Sequence, residues 1–273
     1  MIVAKLKGGL GNQMFQYAFG RYLAIKNNTN LALDLSYLLD RRPRKFFIFR
    51  DYELDIFNID AFLYEDYDFS GYSYFKEKYF HFDSEVLNIG DNSMIDGYWQ
   101  SEKYFKGICE VIRNDFTFKN SLPKDLIEIS EKMRMGNSVC IHVRYGYLNN
   151  LRDRFFHGFV GLKYIKNSVD FISKKIENPE FYIFSDNPKW CKDYLDIKFA
   201  SFYPELMFTN FKNTDYFQLM TDCRHFIISN SSFSWWGAWL SDNPDKIVIA
   251  PKRWFRFSFN NTRDLLPEKW IRL

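Results

Sequence analysis

The stretch GGLGNQMFQYA at residues 8–18 decides the fold of the first half of this chain, because it joins a strand to a helix through a glycine-rich turn. Residues 2–7 predict the strand, and apolar residues recur at helical spacing from Gln13 to Lys26. A second strand at 31–34 completes a β-α-β unit. Such a turn directs backbone N–H groups and a helix N-terminus at one point, which suits a phosphate.

A second stretch, SNSSFSWWGAWL at residues 229–240, repeats this plan near the end of the chain. Its helix is predicted at 232–241, and its tryptophans are expected in the core. Asn230, Ser231 and Ser232 offer more polar groups than one helix cap needs, which favours anion binding. One such turn in each half predicts a ligand held between two α/β lobes.

Strands and helices alternate strictly in the second half of the chain. Strands are predicted at 138–143, 180–184, 197–200, 225–229 and 246–250, and helices at 161–176, 187–195, 213–222 and 232–241. This alternation predicts a parallel sheet covered on both faces.

The segment 41–105 has weak periodicity, and we expect irregular structure with short helices there. Helices at 101–115 and 122–134 are predicted to follow. Gly136 then marks a boundary between an N-terminal lobe, residues 1–136, and a C-terminal lobe, residues 137–273.

Composition limits the function classes. The 273 residues are 47% hydrophobic and 20% aromatic, with a net charge of +3. A nucleic-acid partner is not expected, because such proteins carry a clustered basic stripe. The dense basic run at 41–45 is interpreted as a solvated loop. The apolar residues 46–49 that follow leave an alternative, contact with an anionic membrane surface.

The four cysteines show no CxxC pair and no metal-ligand spacing, so buried reduced thiols are predicted. No signal peptide is predicted, because Gly8-Gly9 interrupts the first apolar run. No apolar stretch is long enough for a transmembrane helix. We therefore expect a cytoplasmic protein, with a peripheral position at the inner face of the membrane as the alternative.

Polar side chains follow the predicted strands where ligands bind in parallel sheets. His142 and Arg144 share one face of a strand end, and Arg144 offers a planar fork of donors for phosphate. A strand-end Arg144 paired with a carboxylate, beside a satisfied core histidine, remains the alternative. Ser185 and Asp186 follow the next strand, where they cap a helix or bind a base or sugar.

The glycine-rich turn also has a dinucleotide-binding interpretation. GLGNQM at 9–14 matches half of that fingerprint, and Asp34 follows at a suitable distance. Met14 stands where the third glycine is required, which disfavours a nicotinamide enzyme.

Four motifs identify a resemblance to the bacterial α-1,2-fucosyltransferases of glycosyltransferase family 11. They are GGLGNQMFQYA at 8–18, His142-Val143-Arg144 at the start of HxRRGD, Phe184-Ser185-Asp186 with Trp190 of FSDDPxW, and NSSFSWWGAWL at 230–240. The motifs keep the family's order and span almost the whole chain.

This resemblance implies a GT-B fold, in which two Rossmann-like lobes with parallel sheets enclose a cleft. It implies inverting transfer of L-fucose from GDP-β-L-fucose to the 2-hydroxyl of a galactoside, in glycan, surface-polysaccharide or O-antigen synthesis. The implied partners are the donor GDP-fucose and a galactose-terminated oligosaccharide acceptor. No metal and no further cofactor are implied.

The resemblance also implies roles for single residues. Arg144 would hold the diphosphate and take up the charge of the leaving group, and His142 and Asp186 would fix the guanine nucleotide. Ser231 and Ser232 would contact phosphate or fucose. The glycine-rich turn would close over the donor from the other lobe. The predicted donor-binding residues are Gly9, Gly11, Asn12, Gln13, His142, Arg144, Ser185, Asp186, Asn230, Ser231 and Ser232.

The catalytic base is assigned to Asp153 or His157, which lie downstream of Arg144 in a predicted loop. The alternative for both is a solvated loop residue.

One departure from the family pattern follows Arg144, where the chain reads YGYLNN and the family reads RGDYL. Tyr145 replaces a second arginine, and the aspartate is missing. Two alternatives to a fucosyltransferase therefore stay open. One is a GT-B transferase that uses another nucleotide sugar, and the other is a non-catalytic relative that binds a nucleotide or glycan.

Overall fold

A computed structural model describes residues 1–43, 48–65, 68–146, 158–208, 210–257 and 260–273. The chain forms two compact units, and each contains one parallel β-sheet. The first unit comprises Met1–Asn120 and Phe259–Pro267, and the second comprises Ser121–Ser258 and Glu268–Leu273. The prediction of an α/β chain with two parallel sheets is confirmed.

Eleven strands lie in the described residues. They are β1 (Ile2–Lys5), β2 (Leu31–Asp34), β3 (Phe62–Tyr64), β4 (Ser73–Lys76), β5 (Ser93–Asp96), β6 (Ser138–Val143), β7 (Glu180–Ser185), β8 (Ser201–Phe202), β9 (His225–Ile227), β10 (Val248–Ala250) and β11 (Ile271–Arg272).

The α-helices of the described residues are α1 (Leu10–Lys26), α2 (Ser36–Leu39), α3 (Cys109–Asp115), α4 (Lys124–Met135), α5 (Gly161–Ile172), α6 (Pro188–Tyr194), α7 (Pro204–Met207), α8 (Asn213–Thr221) and α9 (Ser232–Leu240). Short 3-10 helices span Leu54–Ile56, Glu85–Asn88, Glu102–Tyr104 and Lys106–Ile108. No helix of this described part is both long and apolar enough to cross a bilayer.

The sheet of the first unit has the order β3-β2-β1-β5-β4. Its β1-α1-β2 opening follows the sequence prediction, although α1 begins at Leu10 rather than Gln13. Gly11 and Asn12 therefore lie in the first helical turn. The strand order reverses between β1 and β5, so the carboxyl ends of these two strands form the edge where a ligand site is expected.

The expectation of irregular structure across 41–105 is wrong for part of that segment, because it contributes β3, β4 and β5. Every residue of the edge strand β4 is exposed, and two of the three residues of β3 are exposed. Neither strand carries the buried apolar run on which strand prediction depends. The predicted helix at 101–115 is α-helical only in α3, after two 3-10 helices.

The sheet of the second unit has the order β11-β10-β9-β6-β7-β8. The chain runs outward from β6 to β8, returns to the other side of β6 as β9, and continues to β11. This is the doubly wound Rossmann order, which reverses between β6 and β9. Ligands of such sheets bind at that reversal, outside the carboxyl ends of the strands.

The strand predicted at 197–200 is wrong in position, because pairing occurs at Ser201–Phe202 instead. Phe199, within the predicted strand, packs its ring against that of Phe181 at 5.8 Å. The carbonyl of Ala200 accepts a hydrogen bond from the N–H of Phe181 at 2.9 Å. The segment 197–202 therefore pairs with β7 only from Ala200 onward, at the end of the predicted strand.

The division between the units lies at Asn120, whereas the sequence placed the lobe boundary at residue 136. Helix α4 belongs to the second unit. A late segment, Phe259–Pro267, returns to the first unit. Asp264 holds it there, because its carbonyl accepts from Ser101 Oγ at 2.6 Å and its carboxylate binds Lys103 Nζ at 2.6 Å.

The core of the second unit contains the tryptophans predicted for it. Trp235 and Trp236 are fully buried on α9, and their rings contact each other at 5.0 Å. Cys140, Cys191 and Cys223 are buried free thiols, whereas Cys109 is half-buried. This confirms the thiol prediction for the three buried cysteines.

Candidate functional site

The polar residues predicted at the strand ends of the second unit do converge. Strand β6 lies between β7 and β9, so residues 144, 186 and 229 follow three neighbouring parallel strands. His142 Nδ1 lies 2.7 Å from Ser229 Oγ, which connects the ends of β6 and β9. Arg144 Nη1 donates to Asp186 Oδ2 at 2.7 Å, which connects the ends of β6 and β7. These contacts place the site at the reversal of strand order.

Asp186 shapes the turn that carries Arg144. Besides the guanidinium, its carboxylate accepts the N–H groups of Tyr145 at 2.7 Å and Gly146 at 2.9 Å. A Cβ atom at Gly146 would lie 2.5 Å from Asp186 Oδ2, so only glycine fits this close approach. A charged acceptor of several N–H donors is stronger than a neutral one, so this carboxylate fixes the turn.

Neither Ser185 nor Asp186 is the N-cap of α6, as the helix-cap alternative expected. Asn187 is the N-cap of α6, because its side chain accepts from the N–H of Trp190 at 3.1 Å. Ser185 is buried, and its hydroxyl donates to the carbonyl of Val143 at 2.8 Å. Ser185 therefore joins the ends of β6 and β7.

His142 is buried beneath this edge and lies against the ring of Phe233 in α9, with ring centroids 5.7 Å apart. Burial, with the nearby Arg144 charge, lowers the pKa of His142 to about 3. The imidazole is therefore neutral at physiological pH. It can accept or donate a hydrogen bond without adding charge to the site.

The N-terminus of α9 suits an anion. Ser231 is its N-cap residue, its side chain makes no capping bond, and no acidic residue lies in the first helical turn. The partial positive charge of the helix end is therefore not neutralised by an acidic side chain in that turn. Asn230 has a supporting role, because its side-chain amide donates to the carbonyl of Trp254 at 3.0 Å.

In the first unit, side chains of the protein itself hydrogen-bond to the glycine-rich turn, for which the sequence predicts donor binding. Gly8 has a positive φ of 82°, as a tight strand-to-helix turn requires. A carboxylate, that of Glu53, accepts the first N–H of α1 from Leu10 at 2.7 Å. Asn12 Oδ1 accepts from Gln100 Nε2 at 2.7 Å, which connects the turn to the segment after β5.

Gln13, predicted to bind the donor, is fully buried. Its amide donates to the carbonyls of Gly8 at 2.9 Å and Asp51 at 2.8 Å, and it accepts from the N–H of Glu53 at 3.0 Å. These three bonds give Gln13 a structural role. It holds the 51–53 segment, and with it the Glu53 carboxylate, against the start of α1.

Aromatic side chains surround the residue that departs from the family pattern. The Tyr145 ring contacts Trp190 at 4.8 Å and Phe159 at 6.4 Å, and Phe159 meets Trp190 edge-on at 5.5 Å. An apolar cluster therefore stands where the family pattern has a second guanidinium. The site has one fewer positive charge and a more apolar wall.

Sequence reasoning missed Glu205 in α7. Its Oε1 accepts from the N–H of Ser185 at 3.1 Å, so it supports the residue before Asp186. Within the described residues its other oxygen is buried without a hydrogen-bond partner. Burial raises the pKa of Glu205 to about 7. The only sequence signal was an acidic residue after Pro204, which also fits an ordinary helix start.

The two predicted catalytic bases, Asp153 and His157, lie outside the described residues, as does the core of the basic and apolar run at 44–47.

Comparison with known proteins gives one family. The model of glycosyl transferase family 11 matches residues 1–273. The chain is 34% identical over 300 residues to an alpha-1,2-colitosyltransferase of Escherichia coli, covering 100% of this chain and 99% of the relative. It is 30% identical to the O-antigen biosynthesis glycosyltransferase WbnK of Escherichia coli, covering 98% and 99% of the two chains.

A solved structure supports the fold alone. A variant of FUT1 from Arabidopsis thaliana, in complex with GDP, superposes with a TM-score of 0.51 at 12% identity, covering 97% of this chain and 74% of that chain.

We predict that Asp186→Asn loosens the turn that carries Arg144. The amide NH₂ would face donors, because both carboxylate oxygens now accept N–H groups. The expected loss in the free energy of unfolding is about 0.5–1.5 kcal/mol, since the pair is partly exposed. Urea unfolding measures it, with the exposed Asp193→Asn on α6 as control. Equal stability of the two variants would contradict this role.

We predict that Glu205→Gln reduces the pH dependence of stability. The native pKa of about 7 lies above the ordinary 4.5, so the unfolded chain releases this proton first. Stability should therefore fall as pH rises from about 4.5 to 7. Glutamine keeps the bond to Ser185 and cannot ionise.

Unfolding at about pH 5 and about pH 8 measures this effect, which we expect to be on the order of 1–3 kcal/mol. The exposed Glu128→Gln on α4 serves as control. If Glu205→Gln and the wild type lose the same free energy of unfolding between the two pH values, Glu205 is not the group whose ionisation destabilises the protein.

Proposed function

The chain belongs to glycosyl transferase family 11, and from this premise we propose its reaction. It transfers L-fucose from GDP-β-L-fucose to the 2-hydroxyl of a galactoside, with inversion at the anomeric carbon. The observation that carries the proposal is the convergence of Arg144, His142 and the N-terminus of α9 at the strand-order reversal of the second unit.

In this proposal the second unit binds the donor. The diphosphate lies between the Arg144 guanidinium and the N-terminus of α9, where Ser231 and Ser232 supply N–H or hydroxyl groups. His142 and Asp186 fix the guanine nucleotide. The neutral state of His142 supports this assignment, because an uncharged imidazole can pair with a base edge.

The chemical step requires stabilisation of the leaving GDP. Negative charge grows on the diphosphate as the bond to fucose breaks, and preorganised donors lower that barrier. Arg144 carries five N–H donors in a planar fork, and Asp186 fixes that fork by one of them. We propose that this guanidinium and the dipole of α9 supply the stabilisation and that no metal is required.

The acceptor hydroxyl needs a base, and we keep Asp153 and His157 as the proposed candidates. Both follow Arg144 in the chain. The proposed partners are GDP-fucose and a galactose-terminated oligosaccharide. The proposed location is cytoplasmic, and a peripheral position at the inner face of the membrane is the alternative. Charged headgroup contact would come from the basic run that begins at Arg41.

A second candidate function changes the sugar and keeps the site. The Escherichia coli relative at 34% identity is named for colitose, which is fucose without its 3-hydroxyl. The apolar cluster around Tyr145 fits a donor with fewer polar groups. A non-catalytic protein that binds a nucleotide or glycan is the remaining alternative.

We predict that Arg144→Ala lowers kcat by roughly 10²–10³, the scale for losing one preorganised donor. Release of GDP from GDP-fucose with a β-galactoside acceptor measures it. Arg134→Ala is the matched control, because Arg134 lies on α4, before the amino end of β6, where it also pairs with an aspartate, Asp222. Turnover at the wild-type level in Arg144→Ala would remove the guanidinium from the mechanism.

Donor choice is tested by comparing kcat/KM for GDP-fucose and GDP-colitose with one acceptor. We expect fucose to be preferred by about tenfold, because one hydroxyl paired in the site is worth about 1.4 kcal/mol. The reverse preference selects the colitose alternative. If GDP raises the melting temperature but neither donor is turned over, the non-catalytic binding protein is the correct alternative.

A further inference from the structure

A basic segment follows β10 in the second unit, and the roles proposed above do not use it. Residues 251–257 read PKRWFRF and contain no acidic residue. The side chains of Lys252, Arg253 and Arg256 are exposed. Because β10 pairs in parallel with β9, the segment begins at the same edge of the sheet as the N-terminus of α9.

This segment is attached to the start of α9. Trp254 is buried, and its carbonyl accepts a hydrogen bond from Asn230 Nδ2 at 3.0 Å. The same Nδ2 lies 3.5 Å from the carbonyl oxygen of Gly158. Asn230 therefore joins two stretches of backbone beside the helix end to which the proposed function assigns the diphosphate.

Arg256 lies on the Gly158 side of this segment. A Cβ atom at Gly158 would be 3.5 Å from Arg256 Cβ, which is ordinary van der Waals contact. Arg256 follows Trp254 by two residues, a span of at most about 7 Å that an extended arginine side chain can cover. The start of α9 is therefore within reach of the guanidinium.

Lys252 lies on the other side. Its backbone N–H donates to the carbonyl of Leu273 at 2.9 Å, and Leu273 follows the edge strand β11. Lys252 therefore borders the outer edge of the sheet, whereas Arg256 borders the part that carries the site.

Arg256 keeps its charge available. Among the residues that the structure describes it forms no ion pair, and its guanidinium lies over the Phe257 ring at 5.6 Å. At an exposed site such a contact is weaker than a charge-assisted hydrogen bond to phosphate. The guanidinium can therefore exchange the ring for an anion at little cost.

The site also lacks a charge that the family pattern supplies. Tyr145 stands at the second arginine of that pattern, and Asp186 already pairs with Arg144 at 2.7 Å, which reduces the positive charge that an anion meets. Each phosphate of a nucleotide sugar is negatively charged. A second guanidinium at this edge of the sheet would therefore improve the charge balance around a bound diphosphate.

We propose that Arg256 is a second diphosphate-binding residue, which supplies the charge that Tyr145 does not. The inference rests on the proposed function, because it concerns the same nucleotide site. Arg256 contacts the diphosphate from the β10 side of α9, and Arg144 contacts it from the β6 side.

Calorimetric titration of the full chain with GDP, UDP and guanosine tests the proposal. We expect Arg256→Ala to weaken GDP binding by about tenfold or more, because a hydrogen bond to a charged group is lost. Guanosine should bind the variant and the wild type equally, since it has no phosphate. Arg253→Ala is the matched control, because Arg253 is an exposed arginine of the same segment. Arg256→Lys should keep part of the affinity, since the charge remains and the planar fork is lost.

The outcomes separate this inference from the proposed function. A loss of GDP affinity in Arg256→Ala, with guanosine binding and Arg253→Ala unchanged, supports the inference. Equal GDP affinity in the wild type and Arg256→Ala overturns it, and the transferase stands if Arg144→Ala still lowers kcat. Binding of UDP in place of GDP, with the same loss in Arg256→Ala, supports the inference and contradicts the proposed donor.

Two further results would overturn the role of Arg256. Equal losses for GDP and guanosine would show that Arg256 acts on the base or on the fold. Equal losses of GDP affinity in Arg253→Ala and Arg256→Ala would show a general effect of positive charge. Binding of neither nucleotide by the wild type would contradict both the inference and the proposed function.

Discussion

One carboxylate sets the geometry on which the second unit depends. Asp186 accepts the Arg144 guanidinium and two consecutive backbone N–H groups, so it fixes both the charge and the turn that carries it. Because Asp186 ends β7 and Arg144 ends β6, the parallel register of these strands decides whether the two can meet. Catalysis of the proposed kind depends on charge that is already in position before the leaving group develops its own.

The sheets of the two units have the same kind of strand-order reversal, but the N-termini of the helices α1 and α9 differ. In each, the strand order reverses beside the first strand, and polar groups from two neighbouring strands meet at that point. In the first unit the carboxylate of Glu53 takes the first N–H of α1, whereas the first turn of α9 in the second unit contains no acidic residue. This difference favours the second unit for an anion and leaves neutral ligands for the first.

The sequence predicts much of this arrangement, because the buried parallel strands are apolar segments that end at polar residues. The bounds of β2 and β6 were predicted to the residue, and His142, Arg144 and Asp186 were placed at strand ends that do converge. Exposed edge strands such as β4 lack that signal. Glu53 and Glu205 escaped notice because their significance comes from contacts with Leu10 and Ser185, distant in sequence, and no local pattern records such contacts.

A crystal structure of the chain with GDP tests the central claim most directly. The account predicts the diphosphate within hydrogen-bond distance of the Arg144 guanidinium and of the N–H groups that begin α9, with Asp186 still bound to the 145–146 turn. A diphosphate bound away from the carboxyl ends of β6 and β9, with Arg144 making no contact to it, would contradict the account.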